Sequence, residues 1–336
     1  MMKRRLEQLA ARYAQLRVAV VGDVCLDRYL EIDPARKEIS LETGLPVHNV
    51  VNVRNQLGGA GNVVANLVAL GIGQIDLVGY CGDDGEGYEL RRALSRLPGV
   101  CTASFFCVPD RRTFTYCKPI LLESEGMRER SRLDMKNDIP TPFSLSQCIA
   151  EAVAAVGEWA DAIIALEHTD QAETGALTQA VRAELGALAQ QRPMVPILAD
   201  SRRSLRDFPR LNFKMNGAEL SSLTGMKDAS DECTVRSVVA EWAQSRGRST
   251  FVTLAGSGMV AADADGTISH APALPLRGRI DVVGAGDSVT ANVAAALAAG
   301  STTAEACHIA MAAASHTIHQ IGTTGVASVD DICALL

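Results

Sequence analysis

The sequence predicts an α/β fold in which a doubly wound, mostly parallel sheet is flanked by helices and carries a small β-sheet lid. Short runs of β-branched residues alternate with helical patterns along most of the 336 residues, as in parallel sheets with crossover helices. Two polar segments of alternating pattern, at about 31–57 and 100–133, interrupt that order and are typical of half-covered strands. We therefore expect residues 1–336 to form one domain, with these two inserts forming the lid.

The N-terminal half starts with a charged amphipathic helical pattern and then enters the predicted sheet. Arg17–Gly22 reads RVAVVG, a continuous apolar run that suits a strand buried on both faces. Glycines open a helix at Gly58–Gly61, Gly71 is placed to end it, and Ile75–Tyr80 is the next predicted strand. Polar residues that follow such strands lie at the sheet edge where open α/β folds bind their ligands.

The C-terminal half continues the alternation without an internal repeat or a low-complexity linker. Helices are predicted at 144–160, 172–191, 233–246, 287–299 and 304–320, with another beginning near Gly217. Strands are predicted at 162–166, 195–200, 213–216 and 250–254, followed by a hairpin of 258–263 and 267–270.

Composition and charge narrow the classes of function. Lys and Arg number 32 against 39 Asp and Glu, and the net charge of −7 argues against a nucleic-acid-binding surface. No apolar run is long enough to span a membrane, and the N-terminus lacks the apolar core of a signal peptide. Nine cysteines without a CxxC pair predict reduced thiols in a cytoplasmic protein, and neither a zinc site nor a disulfide framework.

The segment Asp281–Asp287 (DVVGAGD) carries the sharpest chemical signal. Gly284, Ala285 and Gly286 lead directly into an apolar helix, so their N–H groups and the helix dipole could form an anion hole. Asp287 would lie at its mouth, where a carboxylate can accept a proton from a hydroxyl during phosphoryl transfer. Taken alone, the segment also fits a tight turn followed by an N-cap aspartate.

Asn216 and Glu219 form a second candidate site. Their i, i+3 spacing just after a predicted strand puts both side chains on one face of a first helical turn. Together they could hold a hydrated Mg²⁺, an ion that prefers oxygen ligands and keeps several waters. The same spacing also describes a capping box, in which the two residues only close the end of a helix.

Two further groups suit a sugar and a phosphate. Asp27 and the Gly58–Asn62 turn could bind sugar hydroxyls, because glycine lets the backbone approach a ligand closely. A basic set in the second insert could bind phosphate; its members are Arg112, Lys118, Arg130 and Arg132. The alternatives are an ordinary turn and a solvated strand face. A Walker A loop is excluded, and the dinucleotide fingerprint lacks its third glycine.

In combination, these segments resemble the ribokinase-like (PfkB) family of carbohydrate kinases over nearly the whole chain. The matching stretches, in the order of the family, are VVGDVCLDRYL, LGGAGNVVANLVALG, NGAE, VTLAGSGMV and DVVGAGDSVTANVAAAL. Ordinary turns and caps have no reason to follow one another in this order, so the combination favours the functional interpretation of each. The first two stretches and the SRLDMKND segment resemble most closely the family members that act on D-glycero-β-D-manno-heptose 7-phosphate.

The resemblance implies an ATP-dependent kinase that phosphorylates the anomeric hydroxyl of this sugar to the 1,7-bisphosphate, for nucleotide-heptose and lipopolysaccharide core synthesis. Asp287 is then the general base, beside the anion hole of Gly284, Ala285 and Gly286. The other implied site residues are Asn216 and Glu219 for Mg²⁺ through water, Thr253, Gly256 and Gly258 for the nucleotide, and Asp27, Gly59 and Asn62, with Asp23 as a weaker candidate, for the sugar.

A substrate with a distal phosphate also needs a cationic grip, for which Arg112, Lys118 and Arg130 on the lid are the candidates. The resemblance further implies a homodimer through the lid and leaves open a monovalent cation. Because the HxGH motif of bifunctional relatives is absent, we expect a kinase alone. The alternatives are another sugar or nucleoside kinase of the family, acting for example on ribose or fructose, a catalytically silent sugar sensor and, least of all, a dehydrogenase.

Overall fold

The computed structural model describes residues 1–123, 126–226 and 231–336. Its strands are β1 (Arg17–Gly22), β2 (Val24–Ile39), β3 (Pro46–Gly59), β4 (Gln74–Gly82), β5 (Val100–Cys101), β6 (Phe105–Val108), β7 (Thr115–Glu123), β8 (Gly126–Glu129), β9 (Leu133–Met135), β10 (Ala162–Glu167), β11 (Ile197–Ser201), β12 (Asn212–Asn216), β13 (Thr250–Thr253), β14 (Met259–Ala262) and β15 (Ile268–Ala271). Its helices are α1 (Met2–Tyr13), α2 (Ala60–Ala69), α3 (Gly85–Leu94), α4 (Phe143–Gly157), α5 (Gln179–Gln191), α6 (Gly217–Thr224), α7 (Glu232–Arg246), α8 (Ala285–Ala298), α9 (Thr303–Thr317) and α10 (Val329–Cys333).

The large sheet has the strand order β15-β14-β13-β12-β11-β10-β1-β4-β5, and β6 pairs with β4. β1 lies at the point where the chain changes direction, since it pairs in parallel with β4 on one side and with β10 on the other. Among the described strands of this sheet, antiparallel pairing occurs only at the edge hairpin, where β13 pairs with β14 and β14 with β15. The sheet is therefore doubly wound and mostly parallel, as the sequence predicts.

Helices cover both faces of this sheet because its central strands are apolar on both sides. Along β1, Val18 and Val20 are buried in one core, while Ala19 and Val21 are buried in the other. The first core also contains residues of α1, α2, α8 and α9, and the second contains residues of α4, α5 and α7. This layering brings the carboxyl ends of the parallel strands to one open edge.

The small sheet has the order β3-β2-β7-β8, with β9 alongside β7, and it leaves the large sheet directly after Gly22. Its strands lie at 24–39, 46–59, 115–123, 126–129 and 133–135, and these bounds differ from the predicted inserts of 31–57 and 100–133. Two strands of the second insert, β5 and β6, pair instead with β4 of the large sheet. An alternating pattern predicts a strand but does not specify which sheet the strand joins, and this is the physical reason for the error.

Helix α5 begins at Gln179, seven residues later than the predicted helix of 172–191. The segment before it wraps around a buried carboxylate: the N–H groups of His168, Thr169 and Ala176 all donate to Asp23. These contacts hold the chain in a non-helical path that its periodicity does not reveal. The predicted elements do not include helix α3, although Asp84 caps it by accepting a hydrogen bond from Gly87 N–H.

Across 1–123, 126–226 and 231–336, no helix combines the length and the hydropathy that crossing a membrane requires. All nine cysteines are free thiols in the structure.

Candidate active site

The candidate site lies at the open edge of the large sheet, where α8 begins. Gly284 precedes the helix with a φ of +82°, a left-handed conformation that favours glycine. A Cβ atom at this position would lie 2.7 Å from Nδ2 of Asn62, so the turn also packs against the first turn of α2. Asp287 follows in the first turn of α8, as the sequence predicts.

The carboxylate of Asp287 is held by α2. The Nδ2 group of Asn62, which is fully buried, donates to Oδ2 of Asp287 at 2.9 Å. Burial raises the pKa of Asp287 to about 6, with the neighbouring Asp200 acting in the same direction, while Asn62, Lys214 and Arg202 lower it. A carboxylate with a pKa near neutrality is a competent general base, because it is ionised at physiological pH yet accepts a proton readily.

The turn before Asp287 supplies fewer free N–H groups than the sequence predicts. The N–H of Ala285 donates to the carbonyl of Val282 at 3.2 Å, so this group is already used. The N–H groups of Gly284 and Gly286 have no acceptor among the residues that the structure describes. Two of the three predicted donors therefore remain available to an anion.

Beneath this turn lies an ion pair that the sequence interpretation missed. Nζ of Lys214 is 2.8 Å from Oδ2 of Asp200, and both residues are buried. The hydroxyl of Thr290 on α8 donates to the same carboxylate oxygen at 2.9 Å. The available signal was a lysine between Phe213 and Met215, in a strand that is otherwise apolar in its buried part.

Asn216 and Glu219 form a complete capping box at the start of α6. Oδ1 of Asn216 accepts the N–H of Glu219 at 2.9 Å, and Oε2 of Glu219 accepts the N–H of Asn216 at 2.7 Å. Both residues nevertheless line a cavity of about 240 Å³ at the sheet edge. Burial raises the pKa of Glu219, as does the charge of Asp200, while Lys214 lowers it. Capping and a role in the site are therefore compatible.

No cluster of three or more His, Cys, Asp or Glu side chains suited to a metal ion occurs in the described part of the chain. Oε1 of Glu219 accepts no hydrogen bond from a described residue, and Asn216 is exposed at the cavity. This donor set of carboxylate and amide oxygen fits a Mg²⁺ that keeps most of its waters and binds phosphate oxygens.

The predicted nucleotide segment follows β13, the strand next to β12. Thr253 pairs in register with Asn216, so the two residues lie side by side at the sheet edge. Gly256 lies in a short 3-10 helix of Ala255–Ser257, and a Cβ atom there would meet no atom within 4 Å. Gly258 has a φ of +91° and packs against the carbonyl of Ala271. The structure thus brings this segment next to the Asn216 cavity.

On the lid, Asp27 forms a buried ion pair with a predicted cation. Nζ of Lys118 is 3.1 Å from Oδ2 of Asp27 and 3.3 Å from the hydroxyl of Tyr29. A Cβ atom at Gly58 would lie 3.3 Å from the carboxyl group of Asp27, and at Gly59 it would lie 2.6 Å from a backbone carbonyl. The Gly58–Asn62 turn therefore lets the carboxylate and the start of α2 come close together.

Asp23 differs from the expectation that it binds the sugar. Its side chain is buried, and its two carboxylate oxygens accept the N–H groups of His168, Thr169 and Ala176 at 2.6–3.3 Å. These hydrogen bonds give Asp23 a structural role, which is to hold the loop after β10.

The three cations predicted to grip a distal phosphate lie in different surroundings. Lys118 is neutralised by Asp27, and Arg112 and Arg130 are exposed, with only their backbone groups in described hydrogen bonds. A different set surrounds the ring of Tyr116; the distances from the ring centroid are 5.0 Å for Arg132 Cζ, 5.8 Å for Lys136 Nζ and 6.0 Å for Arg202 Cζ.

Arg202 and Lys136 are the members of this set that the sequence interpretation did not include. Arg202 follows β11 directly, lines the 240 Å³ cavity and lowers the pKa of both Asp287 and Glu219. Its guanidinium forms neither an ion pair nor a hydrogen bond with any residue the structure describes, whereas Arg132 pairs with Asp134 and Lys136 pairs with Asp170. Arg202 therefore brings to this cavity a positive charge that no described carboxylate pairs with.

The lid contacts the loop that follows α9. The Nε2 group of Gln56 donates to the Thr323 hydroxyl at 2.8 Å, and its Oε1 accepts the N–H of Thr324 at 3.0 Å. Arg54 donates to the carbonyl of Gly322 at 3.1 Å. These contacts join β3 to the loop after α9, and Cα of Thr324 in this loop would lie 3.6 Å from a Cβ atom at Gly284.

Comparison with known proteins gives a consistent result. Residues 160–329 match the family model described as pfkB family carbohydrate kinase. The bifunctional protein HldE of Rhodospirillum rubrum is 32% identical over 98% of this chain, and that of Azorhizobium caulinodans is 33% identical over 92%. The chain spans 64% and 62% of the length of these two relatives, respectively.

Solved structures show the same fold. Arabidopsis thaliana ribokinase, solved with ribose and ATP, aligns with a TM-score of 0.70 at 20% identity and covers 95% of this chain and 98% of its own. The Y23D mutant of phosphofructokinase-2 from Escherichia coli aligns with a TM-score of 0.70 at 18% identity, covering 95% and 97%. At these identities the likeness concerns the fold alone.

Proposed function

This chain belongs to the pfkB family of carbohydrate kinases, and from that premise we propose that it uses ATP to phosphorylate the anomeric hydroxyl of D-glycero-β-D-manno-heptose 7-phosphate. The observation that carries the proposal is the Asp287 carboxylate, held by Asn62 at the start of α8 with a pKa raised to about 6. The GDVCLDRYL and GGAGNVVANL stretches support the choice of sugar. Its product, the 1,7-bisphosphate, would serve nucleotide-heptose and lipopolysaccharide core synthesis.

In this proposal Asp287 accepts the proton of the anomeric hydroxyl while that oxygen attacks the γ-phosphorus of ATP. The bond between the γ-phosphorus and the bridging oxygen breaks, and ADP leaves. The N–H groups of Gly284 and Gly286, together with the dipole of α8, stabilise the charge on the transferred group. The lid excludes water from the cleft, which limits the hydrolysis of ATP.

For the nucleotide we propose the cavity beside β12 and β13. Asn216 and Glu219 would hold Mg²⁺ through water, and the ion would offset the negative charge of the ATP phosphates. Thr253, Gly256 and Gly258 would line the same site, since Thr253 pairs with Asn216 across the two strands. The steps above use no monovalent cation. The carboxylate of Asp281, which lies before the turn, already accepts one backbone N–H group on each of its two oxygens.

For the sugar we propose Asn62, Gly59 and the Asp27 carboxylate, which Lys118 orients through its ion pair. The distal phosphate is assigned to Arg202, with Arg132 as its neighbour on Tyr116, in place of Arg112, Lys118 and Arg130. An arginine without a carboxylate partner is suited to this task, because its planar guanidinium can donate two hydrogen bonds to one phosphate.

The decisive experiment is ³¹P NMR of the product after incubation of the protein with Mg-ATP and heptose 7-phosphate. We expect a new anomeric phosphate signal beside the retained 7-phosphate signal. Parallel reactions with heptose, ribose, fructose and fructose 6-phosphate provide the comparison. A faster reaction with a sugar that lacks a distal phosphate would favour the alternative, which is another sugar or nucleoside kinase of the same family.

Replacing Arg202 by alanine should raise the KM for the phosphorylated sugar about 10- to 100-fold, as expected from the loss of hydrogen bonds to a charged group. The KM for the same sugar without its phosphate should change far less. The measurement belongs at pH 8, where the loss of the Arg202 charge leaves Asp287 ionised. Arg112→Ala is the matched comparison, and an equal rise in KM for that variant would return the grip to the predicted residues.

We also propose a cytoplasmic homodimer that forms through the lid. An exposed edge strand supports this, because β3 presents Val50, Val51 and Val53, each at least 40% exposed, to solvent. Nine free thiols are compatible with a reducing compartment. Sedimentation velocity tests the assembly, and a mass of 35.6 kDa at micromolar concentration would contradict it.

A further inference from the structure

The ion pair of Lys214 and Asp200 has no role in the reaction steps above, although it lies directly beneath the turn that precedes Asp287. Lys214 is 5% exposed and Asp200 is 8% exposed. A Cβ atom at Gly286 would lie 3.1 Å from Nζ of Lys214, so the ammonium group lies against the open side of this glycine. The positive charge of Lys214 therefore lies next to Gly286, whose N–H group is assigned to the transferred phosphoryl group.

Stability alone does not account for such a pair. Transferring two charges from water into a protein interior is costly, and apolar residues of similar volume often stabilise a fold at least as well. The flanking residues of β12, Phe213 and Met215, are apolar and buried, so an apolar residue at 214 would have suitable neighbours. The pair therefore calls for a function in the place where it lies.

The pair is also linked to the turn through α8. The Thr290 hydroxyl is 2.9 Å from Oδ2 of Asp200 and 3.0 Å from the carbonyl of Gly286. Asp200 thereby connects the end of β11, the lysine of β12 and the first turn of α8. A displacement of any one of these groups would move the N–H groups of the turn.

We propose that Lys214, oriented by Asp200 and Thr290, is a positioning residue that fixes the Gly284–Gly286 turn and places a positive charge beneath the transferred phosphoryl group. This role rests on the proposed phosphoryl transfer and adds a cation to it that does not touch the substrate. A buried charge acts strongly here because few water molecules screen it. It also needs no reorganisation during the reaction, since the ion pair is already formed.

The first test removes the pair as a unit. Lys214→Met combined with Asp200→Asn leaves no unpaired buried charge, so the double variant is expected to fold. Its kcat should fall about 100-fold, the usual effect of losing one preorganised electrostatic group, while KM for ATP and for sugar stays within about threefold. Removal of the Arg5–Glu305 ion pair on α1 and α9, by Arg5→Met and Glu305→Gln, is the matched control and should leave kcat unchanged.

The second test uses the pH dependence of kcat/KM to detect the charges of Lys214 and Asp200. The titratable or charged groups that face Asp287 are Asp200, Lys214, Arg202 and Cys25. Lys214→Met removes a positive charge, so the pKa of Asp287 should rise and the acidic limb of kcat/KM should move to higher pH. Asp200→Asn removes a negative charge and should move the same limb to lower pH. These shifts test whether the two charges act on Asp287, and the loss of kcat at pH 8, where Asp287 stays ionised, separates the proposed role from a merely structural one.

The third test separates binding from the transition state. The affinity of the double variant for ADP should stay within about threefold of wild type. Its affinity for ADP with aluminium fluoride and the sugar, which mimics the transferred phosphoryl group, should fall about 100-fold. If the Lys214→Met variant does not fold, Asp200→Asn still carries the test, because it retains the lysine and should retain more activity than the double variant.

A folded double variant with kcat within about threefold of wild type would overturn the role of Lys214 and leave the proposed function intact. A wild-type protein that transfers phosphate to no sugar would overturn the proposed function itself. The two failures are therefore distinguishable, since the first is measured on any sugar that the wild-type protein phosphorylates.

Discussion

The Asp287→Asn variant should lose kcat by about 10³- to 10⁴-fold, which is the upper range for removing a general base. An asparagine amide cannot accept the proton of the anomeric hydroxyl, although its Oδ1 can still accept the hydrogen bond from Asn62. The KM for ATP should stay within about threefold of wild type, because the proposed nucleotide cavity lies beside β12 and β13. Steady-state kinetics and binding of ADP measure the two effects separately.

The pH dependence of the wild-type protein follows from the same carboxylate. The pKa of Asp287 is raised to about 6, and the base works only when ionised. We expect kcat/KM to fall as the pH decreases through about 6 and to be level above it. An Asp287→Asn variant that retains a tenth of wild-type turnover would contradict the assignment of Asp287 as the base. A wild-type profile in which kcat/KM does not fall at low pH would contradict it as well.

The same substitution should raise the stability of the protein near neutral pH. Because folding raises the pKa of Asp287, ionising this group costs folding free energy once the pH exceeds its unfolded value. The Tm advantage of Asp287→Asn should therefore be small at pH 4 and grow as the pH rises through about 6. Asp331→Asn in α10 is the matched control; the pKa of Asp331 is lowered by Ser328, so its removal should decrease Tm at neutral pH and leave kcat unchanged.

The Gly284→Ala variant should show the second-largest loss, about 100-fold in kcat. A Cβ atom at 2.7 Å from Nδ2 of Asn62 must displace this amide, and the amide holds the Asp287 carboxylate. The φ of +82° adds backbone strain of about 1–2 kcal/mol for a residue with a side chain. Kinetics at pH 8 and thermal unfolding measure the two contributions.

Gly71→Ala is the control for this strain. Gly71 has a φ of +78°, and a Cβ atom there would meet no atom within 4 Å. The Gly71→Ala variant should therefore lower Tm about as much as the backbone strain in Gly284→Ala does, and it should leave kcat unchanged. If Gly284→Ala acts through Asn62, it should cost little further activity in an Asn62→Ala background. Additive losses in this double-mutant cycle would show that the glycine acts by another route.

The local signals in the sequence proved reliable where the pattern itself specifies the structure. Arg17–Gly22 is a strand with the predicted bounds, because a short β-branched run that ends in glycine suits a doubly buried position. Gly284 precedes α8 and Asp287 lies in its first turn as predicted, and Asn216 and Glu219 satisfy the capping alternative while lining a cavity. In each case, residues close together in sequence determine the outcome.

The cations show the limit of this reasoning. Lys118 and Arg112 lie in the same predicted insert, yet one is buried against Asp27 and the other is exposed. Arg202, which nothing in the sequence distinguishes from Arg203 and Arg206, lines the cavity beside Asn216 and Glu219 and forms no ion pair with a described residue. Whether a cation is neutralised depends on carboxylates from distant parts of the chain, and these are brought together only by folding.

By itself, the sequence determined the α/β class, the alternation of strands and helices, the turn that begins α8 and the placing of Asp287 within it. These features depend on hydrophobic periodicity, glycine conformations and helix capping, all of which act over a few residues. Only the tertiary structure decided that β5 and β6 join the large sheet, that Asp23 holds a loop, and that Lys214 lies beneath Gly286. Pairing between strands and the burial of charges depend on contacts between residues far apart in the chain, for which local patterns contain no information.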